Sequence, residues 1–331
     1  MSSLKNYVVP SLGGLAEEFS LIRSSSFLGI PGVIIFDSGI PGPCLGITIQ
    51  THGNEPSGLA ALRYFRKENL TQNLLKGSVI FVLNNIEASE RYFETFKISD
   101  SDERSKAKLK ARFCDVNMNR LPMDTLRLSG NFRSEIVRAQ KLAPVWKRFD
   151  VGLDIHTMRN TTDPMIVALG DVKSDLYRGF SVNNIIRNIE NVQTGKPAAA
   201  FYGESGVTPV FGIEAGLHEE ASSFELAVVC VLKLLQNIDM LDGESEATKK
   251  IYKEYWVNSS IFFPNESYEL SKEFKGYEQV EAGQIIALGD GDPIRVQSAG
   301  HIVFGPLGRK PTAPLTDEVL FLSAPMKLIE I

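Results

Sequence analysis

The chain has 331 residues, of which 43% are hydrophobic, so it is long enough for one large domain and a smaller one. Its 35 basic and 40 acidic side chains leave a net charge of −5, which excludes the strongly basic balance of proteins that bind nucleic acid or anionic membranes. The three cysteines lack a Cys-x-x-Cys spacing, and the N-terminus lacks a signal-peptide layout. The longest apolar segment is shorter than the ~20 residues that span a bilayer. We therefore expect a cytoplasmic protein.

Short apolar runs alternate with helical patterns through the first two thirds of the chain. The runs predicted to form strands are 33–36, 45–50, 79–83, 151–155, 165–169 and 210–213. The segments predicted to form helices are 56–68, 131–148, 171–187 and a stretch from a Ser-x-x-Glu capping box at 222–225 to about residue 241. This alternation predicts an α/β fold with a mixed, largely parallel sheet that is flanked by helices.

The pattern changes after about residue 250, where glycine and proline become more frequent. The short strands predicted there are 260–263, 285–288, 294–297, 302–304 and 319–322. Turn residues such as those at 289–293 separate them, which indicates a small all-β domain. We therefore predict a catalytic domain over residues 1–243 and a C-terminal β domain over 244–331.

The most informative residues are two histidines and a glutamate that follow predicted strands. His52 and Glu55 come just after the strand at 45–50, and His156 follows the strand at 151–155. Open α/β sheets place their sites at the carboxyl ends of strands, so these side chains can meet. Two imidazoles and a carboxylate are a ligand set for catalytic zinc, and Gly53 permits a tight turn between the first two ligands. The alternative is a surface helix start capped by Asn54.

Further candidates are a glutamate among apolar residues and a string of polar residues. Glu214 is costly to bury unless it is paired or its pKa is shifted, so it is either a general base or the partner of an arginine. In the string at 112–120, Arg112 has the chemistry to stabilise an oxyanion. Asn119 and Arg120 have the chemistry to hold a substrate carboxylate. The alternative for this string is a basic loop over a helix terminus.

Together these motifs resemble those of the succinylglutamate desuccinylase/aspartoacylase family, a branch of the zinc carboxypeptidase superfamily. The matching strings are His-Gly-Asn-Glu at 52–55, Arg-aromatic-x-Asp-x-acid/amide-apolar-Asn-Arg at 112–120, Asp-apolar-His at 154–156 and Ile-Glu-apolar-Gly at 213–216. They occur in the family's order and span residues from about 40 to 220. The resemblance implies a zinc carboxypeptidase-like fold with a C-terminal β domain.

The resemblance also implies a role for each candidate residue. The implied ligands of one zinc ion are His52, Glu55 and His156. Glu214 is then the catalytic base and acid, and Arg112 polarises the scissile carbonyl. Asn119 and Arg120 bind a carboxylate of the substrate. Asp154 is expected either to hold a zinc histidine in place or to cap a turn at the strand end.

The chain departs from the family in the residues that read the substrate. Aspartoacylase-like members carry another arginine shortly before the catalytic glutamate, whereas residues 196–211 contain no arginine here. We therefore do not expect specificity for N-acetylaspartate. Arg159 and Arg187 are other basic candidates, for which surface roles are favoured. For His218 a solvated helix start is favoured over a role in the site, and His301 is expected to be exposed.

The leading hypothesis is a zinc-dependent amidohydrolase that removes an acyl group from a small N-acyl amino acid or related carboxylate. A zinc carboxypeptidase that acts on peptides is the first alternative, and a non-catalytic binding protein on the same fold is the second. A β domain that covers the cleft favours small molecules, and either Tyr268 or Tyr277 could reach the site from it. The expected partner is a small carboxylate substrate rather than nucleic acid or a membrane, and a homo-oligomer is left open.

Overall fold

The computed structural model of the chain describes residues 7–130, 134–160, 163–203, 208–243, 249–304, 308–309 and 318–331. Its α-helices are α1 (Leu12–Ser24), α2 (Ser57–Lys67), α3 (Ile86–Glu94), α4 (Ser101–Lys110), α5 (Ser134–Trp146) and α6 (Ala221–Asn237). The strands before residue 250 are β1 (Ser26–Phe27), β2 (Ile30–Pro31), β3 (Val33–Asp37), β4 (Cys44–Ile49), β5 (Ser78–Leu83), β6 (Val151–Met158), β7 (Met165–Ala168), β8 (Asn184–Arg187) and β9 (Val210–Leu217). The later strands are β10 (Ile251–Ile261), β11 (Glu269–Leu270), β12 (Gln279–Val280), β13 (Ile285–Leu288), β14 (Ile294–Arg295), β15 (Gly300–Val303), β16 (Leu320–Ser323) and β17 (Lys327–Glu330).

A mixed, largely parallel sheet forms the centre of the molecule. Its strands lie in the order β8-β7-β9-β6-β4-β5-β3. Parallel pairing joins β4 to β5 and β6, β6 to β9, and β7 to β8. Strands β3 and β7 run antiparallel to β5 and β9. The predicted fold class is therefore confirmed.

Helices cover both faces of this sheet, which explains why its strands are apolar. Leu59 of α2 packs with Leu153 of β6 in the core between the sheet and helices α1, α2 and α6. Trp146 of α5 packs with Ile80 of β5 on the opposite face. Successive strand residues point to opposite faces, so polar residues that alternate with the first core fall on the α5 side. Each described helix is too short or too polar to cross a lipid bilayer.

Most elements predicted before residue 240 are confirmed, but the segment 171–187 is not a helix. It forms a short 3-10 turn at Ser174–Tyr177 and then strand β8. Gly179 has a positive φ of 77°, which interrupts any helix there. The branched residues Ile185 and Ile186 pair between β7 and β10, because β-branched side chains pack well in a sheet.

The predicted capping box at the start of α6 is also wrong. The helix begins at Ala221, its N-cap is Glu220 without a side-chain hydrogen bond, and it ends at Asn237 rather than near residue 241. Burial of an apolar face therefore stabilises this helix without help from a capping box, because Phe224, Val231 and its other inward residues lie in the main core.

Strand β10 belongs to both parts of the chain. Residues 253–256 pair in parallel with β8, which adds β10 to the central sheet. Residues 257–261 pair antiparallel with β16, and that sheet continues through β15 to β12. Strands β11, β13 and β14 form a separate small sheet. The C-terminal residues thus form the predicted β unit, and the boundary at residue 243 stays a prediction.

Because β10 extends the central sheet, we expect a chain truncated after Gly243 to lose the native fold. The truncation would expose the edge of β8 and remove Tyr252, which is completely buried in the main core. The fragment should lose the cooperative thermal transition in circular dichroism that the whole chain shows, and should bind a dye specific for exposed apolar surface. A cooperative transition with an unchanged midpoint would instead support an independent domain at residues 1–243.

Candidate active site

The three predicted metal ligands meet at the carboxyl ends of two paired strands. His52 and Glu55 lie in the loop between β4 and α2, and His156 lies in β6, which pairs in parallel with β4. Atom Nδ1 of each histidine lies 2.8 Å from one carboxylate oxygen of Glu55. One donor atom of each residue lies within 4.8 Å of the others, and all three residues are buried. This spacing suits a single metal ion.

The opposite nitrogen of each ring is held by an oxygen. Nε2 of His156 lies 2.9 Å from Oδ2 of Asp154, and Nε2 of His52 lies 2.9 Å from Oδ1 of Asn117. That amide oxygen also accepts a hydrogen bond from the backbone N–H of Asn119, which identifies it as the oxygen. These contacts hold a proton on each Nε2, so Nδ1 is the nitrogen that each ring directs toward the metal site.

A buried hydrogen-bond network fixes Asp154 beneath the site. Its Oδ1 accepts hydrogen bonds from the hydroxyls of Thr48 and Thr51 at 2.8 and 2.9 Å. The Tyr202 hydroxyl donates to Thr48 at 2.9 Å in turn. Of the two interpretations of Asp154, the structure therefore bears out the one in which it holds His156 in place.

Burial and neighbouring charges set the protonation of the three side chains. Burial, together with the Arg112 guanidinium, lowers the pKa of His52 to about 4, although Glu55 opposes this shift, so the ring is neutral at pH 7. Burial opposes ionisation of Glu55, but the two imidazoles hold its pKa well below the usual range. Burial also opposes a charge on His156, but Asp154 and Glu55 hold its pKa well above the usual value. A cation bound here must therefore displace a proton from His156.

Gly53 is needed for close backbone approach rather than for a left-handed turn. Its N–H donates to the carbonyl of Arg112 at 2.9 Å, and its carbonyl accepts from the Gln50 side chain at 2.8 Å. A Cβ at this position would lie 2.3 Å from the carbonyl oxygen of Ala88 and 2.4 Å from that of Ala111. The positive φ of the loop, 46°, belongs to Gln50. The predicted tight turn is thus present, but the residue with the left-handed backbone conformation is Gln50, which precedes both ligands in the loop.

Glu214 stands beside the metal site on the next strand. It lies in β9 as the register partner of His156 in β6. Its Oε2 is buried and has no hydrogen-bond partner in the described part of the chain. Burial raises its pKa to about 8, because His156 offsets only part of the desolvation and Glu55 adds repulsion. None of the ion pairs among the described residues involves Glu214, so the alternative of a salt bridge to an arginine is not borne out.

Arg112 also reaches the metal site. Its Nη1 donates to Oε1 of Glu55 at 2.9 Å, and 39% of its side chain remains accessible from the cleft. The segment that follows is held by Glu135, whose carboxylate accepts hydrogen bonds from the backbone N–H groups of Cys114, Asp115 and Val116. The string at 112–120 therefore lines the site at both of its ends, and its middle lies over the start of α5, where Asp115 accepts a hydrogen bond from the backbone N–H of Ser134.

The predicted carboxylate clamp, which consists of Asn119 and Arg120, lies in the same cleft. Arg120, however, already has hydrogen-bond partners within the chain. Nε of Arg120 donates to Glu318 at 3.0 Å, and Nη1 donates to the carbonyl of Asn119 and the side chain of Gln193. Glu318 comes from the C-terminal β unit, and it also accepts a hydrogen bond from the backbone N–H of Thr194. These contacts orient the guanidinium and leave Nη2 without a bond to any described residue.

The cleft above the metal site has a volume of about 330 Å³. The C-terminal β unit supplies part of its wall through Val303, Phe304 and residues 318–321. Tyr277 of this unit packs on Tyr255 near the site, and Glu214 is among the groups that raise the pKa of its hydroxyl. Tyr268 lies in the separate core of the β unit instead.

The remaining candidates divide between the site and the surroundings. His218 is half-buried, and its Nδ1 lies 2.9 Å from the Thr157 hydroxyl, so it is linked to the site and not to a solvated helix start. His301 is half-buried against Tyr255, so the prediction of exposure is wrong. Arg159 is exposed at the cleft wall. Arg187 is structural, because it binds Glu254 and Tyr177.

Three supporting residues were not identified from the sequence. Asn117 lies inside the string at 112–120, where its position two residues before Asn119 was the available signal. Glu135 and Glu318 are isolated acids without a motif. Only the folded chain shows that both carboxylates hold the loop with Arg112 and Arg120.

Comparison with known proteins identifies the family that has this fold. The model of the succinylglutamate desuccinylase/aspartoacylase catalytic domain matches residues 41–235, which is more than half of the chain. The chain therefore belongs to this family. A comparison with curated proteins finds no match.

Several solved structures share this fold. Succinylglutamate desuccinylase from Vibrio parahaemolyticus has a TM-score of 0.64 and 12% identity, with 88% of this chain and 86% of that chain covered. The product-bound ectoine utilization protein EutE from Ruegeria pomeroyi has a TM-score of 0.56 and 16% identity, with 89% of each chain covered. A succinylglutamate desuccinylase/aspartoacylase from Rhodobacter sphaeroides has a TM-score of 0.56 and 13% identity, again with 89% of each chain covered. At these identities the likeness concerns the fold.

Replacing Gly53 by alanine should damage the metal site through the backbone. The added Cβ would press on two carbonyl groups, so the loop must shift and carry His52 and Glu55 with it. We expect a loss of about 1–3 kcal/mol in the free energy of unfolding by urea and a fall of at least about 10-fold in zinc affinity. The control is Gly13→Ala in α1, where the nearest atom is 3.8 Å from the added Cβ. Equal zinc affinity in the two variants would contradict this account of Gly53.

Proposed function

We propose that this chain is a zinc-dependent amidohydrolase that removes an acyl group from a small N-acyl amino acid or a related carboxylate. The observation that carries the proposal is the arrangement of His52, Glu55 and His156 beside Glu214, whose buried oxygen has no partner. Three ligands with an unpaired carboxylate next to them are what hydrolysis by an activated water requires. Membership of a family named for a desuccinylase and an aspartoacylase supports the same reaction class.

The donor set fits zinc. Neutral imidazole nitrogens and a carboxylate oxygen are ligands that zinc accepts, and three protein ligands are typical of catalytic sites. The protons held on Nε2 by Asp154 and Asn117 leave Nδ1 as the ligand atom of each ring, on the side where Glu55 lies. When bound, zinc supplies Lewis-acid chemistry, which makes water more acidic and polarises a carbonyl group.

The side chains around this position divide the proton and charge transfers between them. Glu214 takes the proton of the attacking water and returns it to the leaving nitrogen; burial favours its protonated form between the two transfers, and a cation bound beside it favours the carboxylate that the first transfer requires. Arg112 reaches the site at Glu55, where its guanidinium can balance the negative charge that develops on the oxygen of the attacked carbonyl group. Asn119 and Arg120 hold the substrate carboxylate, and the free Nη2 of Arg120 is the available donor.

The size of the cleft favours this reaction over peptide hydrolysis. Its volume of about 330 Å³ is at the lower end of the range for small-molecule sites. Residues of the C-terminal β unit form one wall, which narrows the space for an extended chain. A cleft of this size therefore favours a small molecule over the carboxypeptidase alternative. The partnerless carboxylate of Glu214 favours catalysis over the alternative of a non-catalytic binding protein.

Metal content tests the ligand assignment directly. Wild-type protein purified without chelator should contain one zinc ion per chain by mass spectrometry of the metal, and Glu55→Ala should contain less than about a tenth of that. The control is Glu87→Ala, because Glu87 is an exposed carboxylate on α3 outside the cleft. Equal zinc in Glu55→Ala and wild type would refute the site as assigned.

Steady-state hydrolysis tests the reaction. We expect turnover of N-acyl amino acids and little turnover of peptides with a free C-terminus. Glu214→Gln should lower kcat by about 10²–10⁴ and keep zinc, because Glu214 handles protons and is not a ligand. Glu220→Gln, an exposed neighbour, should keep both. Hydrolysis of peptides alone would favour the carboxypeptidase, and binding without turnover in wild type would favour the non-catalytic alternative.

A further inference from the structure

One side of the cleft is apolar and begins directly beside Glu214. In the register of β7 and β9, Met165 lies opposite Glu214 and Val167 lies opposite Gly212. Residues opposite each other in a sheet share a face, and so do residues two positions apart in one strand. Val167, opposite Gly212, is therefore on the same face as the carboxylate of Glu214. Gly212 has no side chain, which leaves room in front of Val167. The sheet surface therefore changes from charged to apolar within one strand.

The apolar surface continues over the next strands and onto the β unit. Its members line the cleft and belong to the hydrophobic cluster between β7, β8 and the C-terminal strands, or pack against it. We call this surface the apolar wall; it consists of Val167, Leu169, Ile189, Val303, Phe304 and Phe321. Val167, Leu169 and Phe304 are only half-buried, so they present surface to a ligand.

From Glu214 the apolar wall extends to the carboxylate clamp. The guanidinium carbon of Arg120 lies 5.9 Å from the ring of Phe321. In an N-acyl amino acid, the side chain leaves the same carbon atom that bears the carboxylate. A carboxylate held by Arg120 therefore places the amino-acid side chain within reach of the part of the wall that contains Phe321.

Among the described residues that line the cleft, two arginines already pair with a buried glutamate, and a third arginine is exposed at its edge. Arg120 pairs with Glu318, whose side chain has no accessible surface, and Arg112 pairs with Glu55. Among the described residues that line the cleft, Arg159 is the arginine without an acidic partner, and it is exposed. A second carboxylate on the substrate would therefore lose water against the wall without gaining a buried counter-charge.

We propose that the substrate carries one carboxylate and an apolar amino-acid side chain that packs on the apolar wall. This inference rests on the proposed deacylase function and names its substrate class: N-acyl derivatives of amino acids such as leucine, methionine and phenylalanine. Acidic side chains are disfavoured, because the wall offers them no hydrogen bond and no charge.

The test compares kcat/KM for N-acetylated leucine, methionine and phenylalanine with that for N-acetylated aspartate and glutamate, using the zinc-loaded whole chain. We expect the apolar group to be preferred by at least about 10-fold. A second series keeps leucine and varies the acyl group from acetyl to hexanoyl, and we expect a smaller range of kcat/KM there. Equal or greater activity on the acidic compounds overturns the inference, and so does a preference that follows the acyl group alone.

Two variants of the apolar wall, both at Leu169, and one variant of Arg159 test which residues determine the substrate preference. Leu169→Ala should lower kcat/KM for N-acetylphenylalanine at least about 5-fold more than for N-acetylalanine, because it removes wall surface without adding charge. Leu169→Arg should shift the ratio of kcat/KM toward N-acetylaspartate. Arg159→Met should leave the activity on apolar compounds unchanged. Leu109→Arg on the exposed face of α4 is the control for an added charge.

The outcomes separate this inference from the proposed function. If zinc-loaded wild type hydrolyses none of the N-acyl compounds, the proposed function fails and the inference fails with it. If it hydrolyses the acidic compounds best and loses that activity in Arg159→Met, the function stands and Arg159 rather than the wall selects the substrate. Unchanged ratios in both Leu169 variants, with normal zinc content and circular dichroism, also overturn the inference.

Discussion

The carboxylate of Glu55 is the centre on which the site depends. It is buried, and it contacts both metal-site histidines, the Arg112 guanidinium and the backbone N–H of Thr157. A buried carboxylate without such partners is strongly unfavourable, and removal of one partner of a buried ion pair typically costs about 3–5 kcal/mol. The fold must therefore bring the ends of β4 and β6 and the loop after α4 together before this charge can be buried. The arrangement that allows the Glu55 carboxylate to be buried is therefore also the arrangement that brings the three predicted metal ligands together.

Two glutamates in one cleft have opposite electrostatic environments. Burial opposes ionisation of Glu55, but the two imidazoles that contact it hold its pKa well below the usual range, whereas burial raises the pKa of Glu214 to about 8. The first is suited to remain charged as a ligand, and the second is suited to exchange a proton. Glu55 follows β4 and Glu214 lies in β9, and strand β6, which carries His156, lies between these two strands in the sheet.

The C-terminal β unit takes part in the site although no motif of the chain lies within it. Strand β10 ties it to the central sheet, and Glu318 reaches Arg120 across 198 positions of sequence. The same unit contributes Phe304 and Phe321 to the cleft. The residues proposed to carry out the reaction thus lie at strand ends of the central sheet, and the β unit supplies part of the surface proposed to contact the substrate.

The sequence by itself determined the residues whose chemistry is local. His52, Glu55 and His156 could be predicted because each follows a recognisable apolar strand, and parallel strands end at the same edge of a sheet. Glu214 could be predicted because a carboxylate between apolar residues and glycines needs a special reason to be there.

Only the tertiary structure decided the contacts that depend on distant pairing. The segment 171–187 has apolar spacing that suits a helix, and it becomes strand β8 because β7 and β10 lie on either side of it. The pairing of Arg120 with Glu318 and the position of the apolar wall beside Glu214 follow from sheet order and register. Local sequence cannot specify these features, because the free energy that selects them comes from burial against residues far away in the chain.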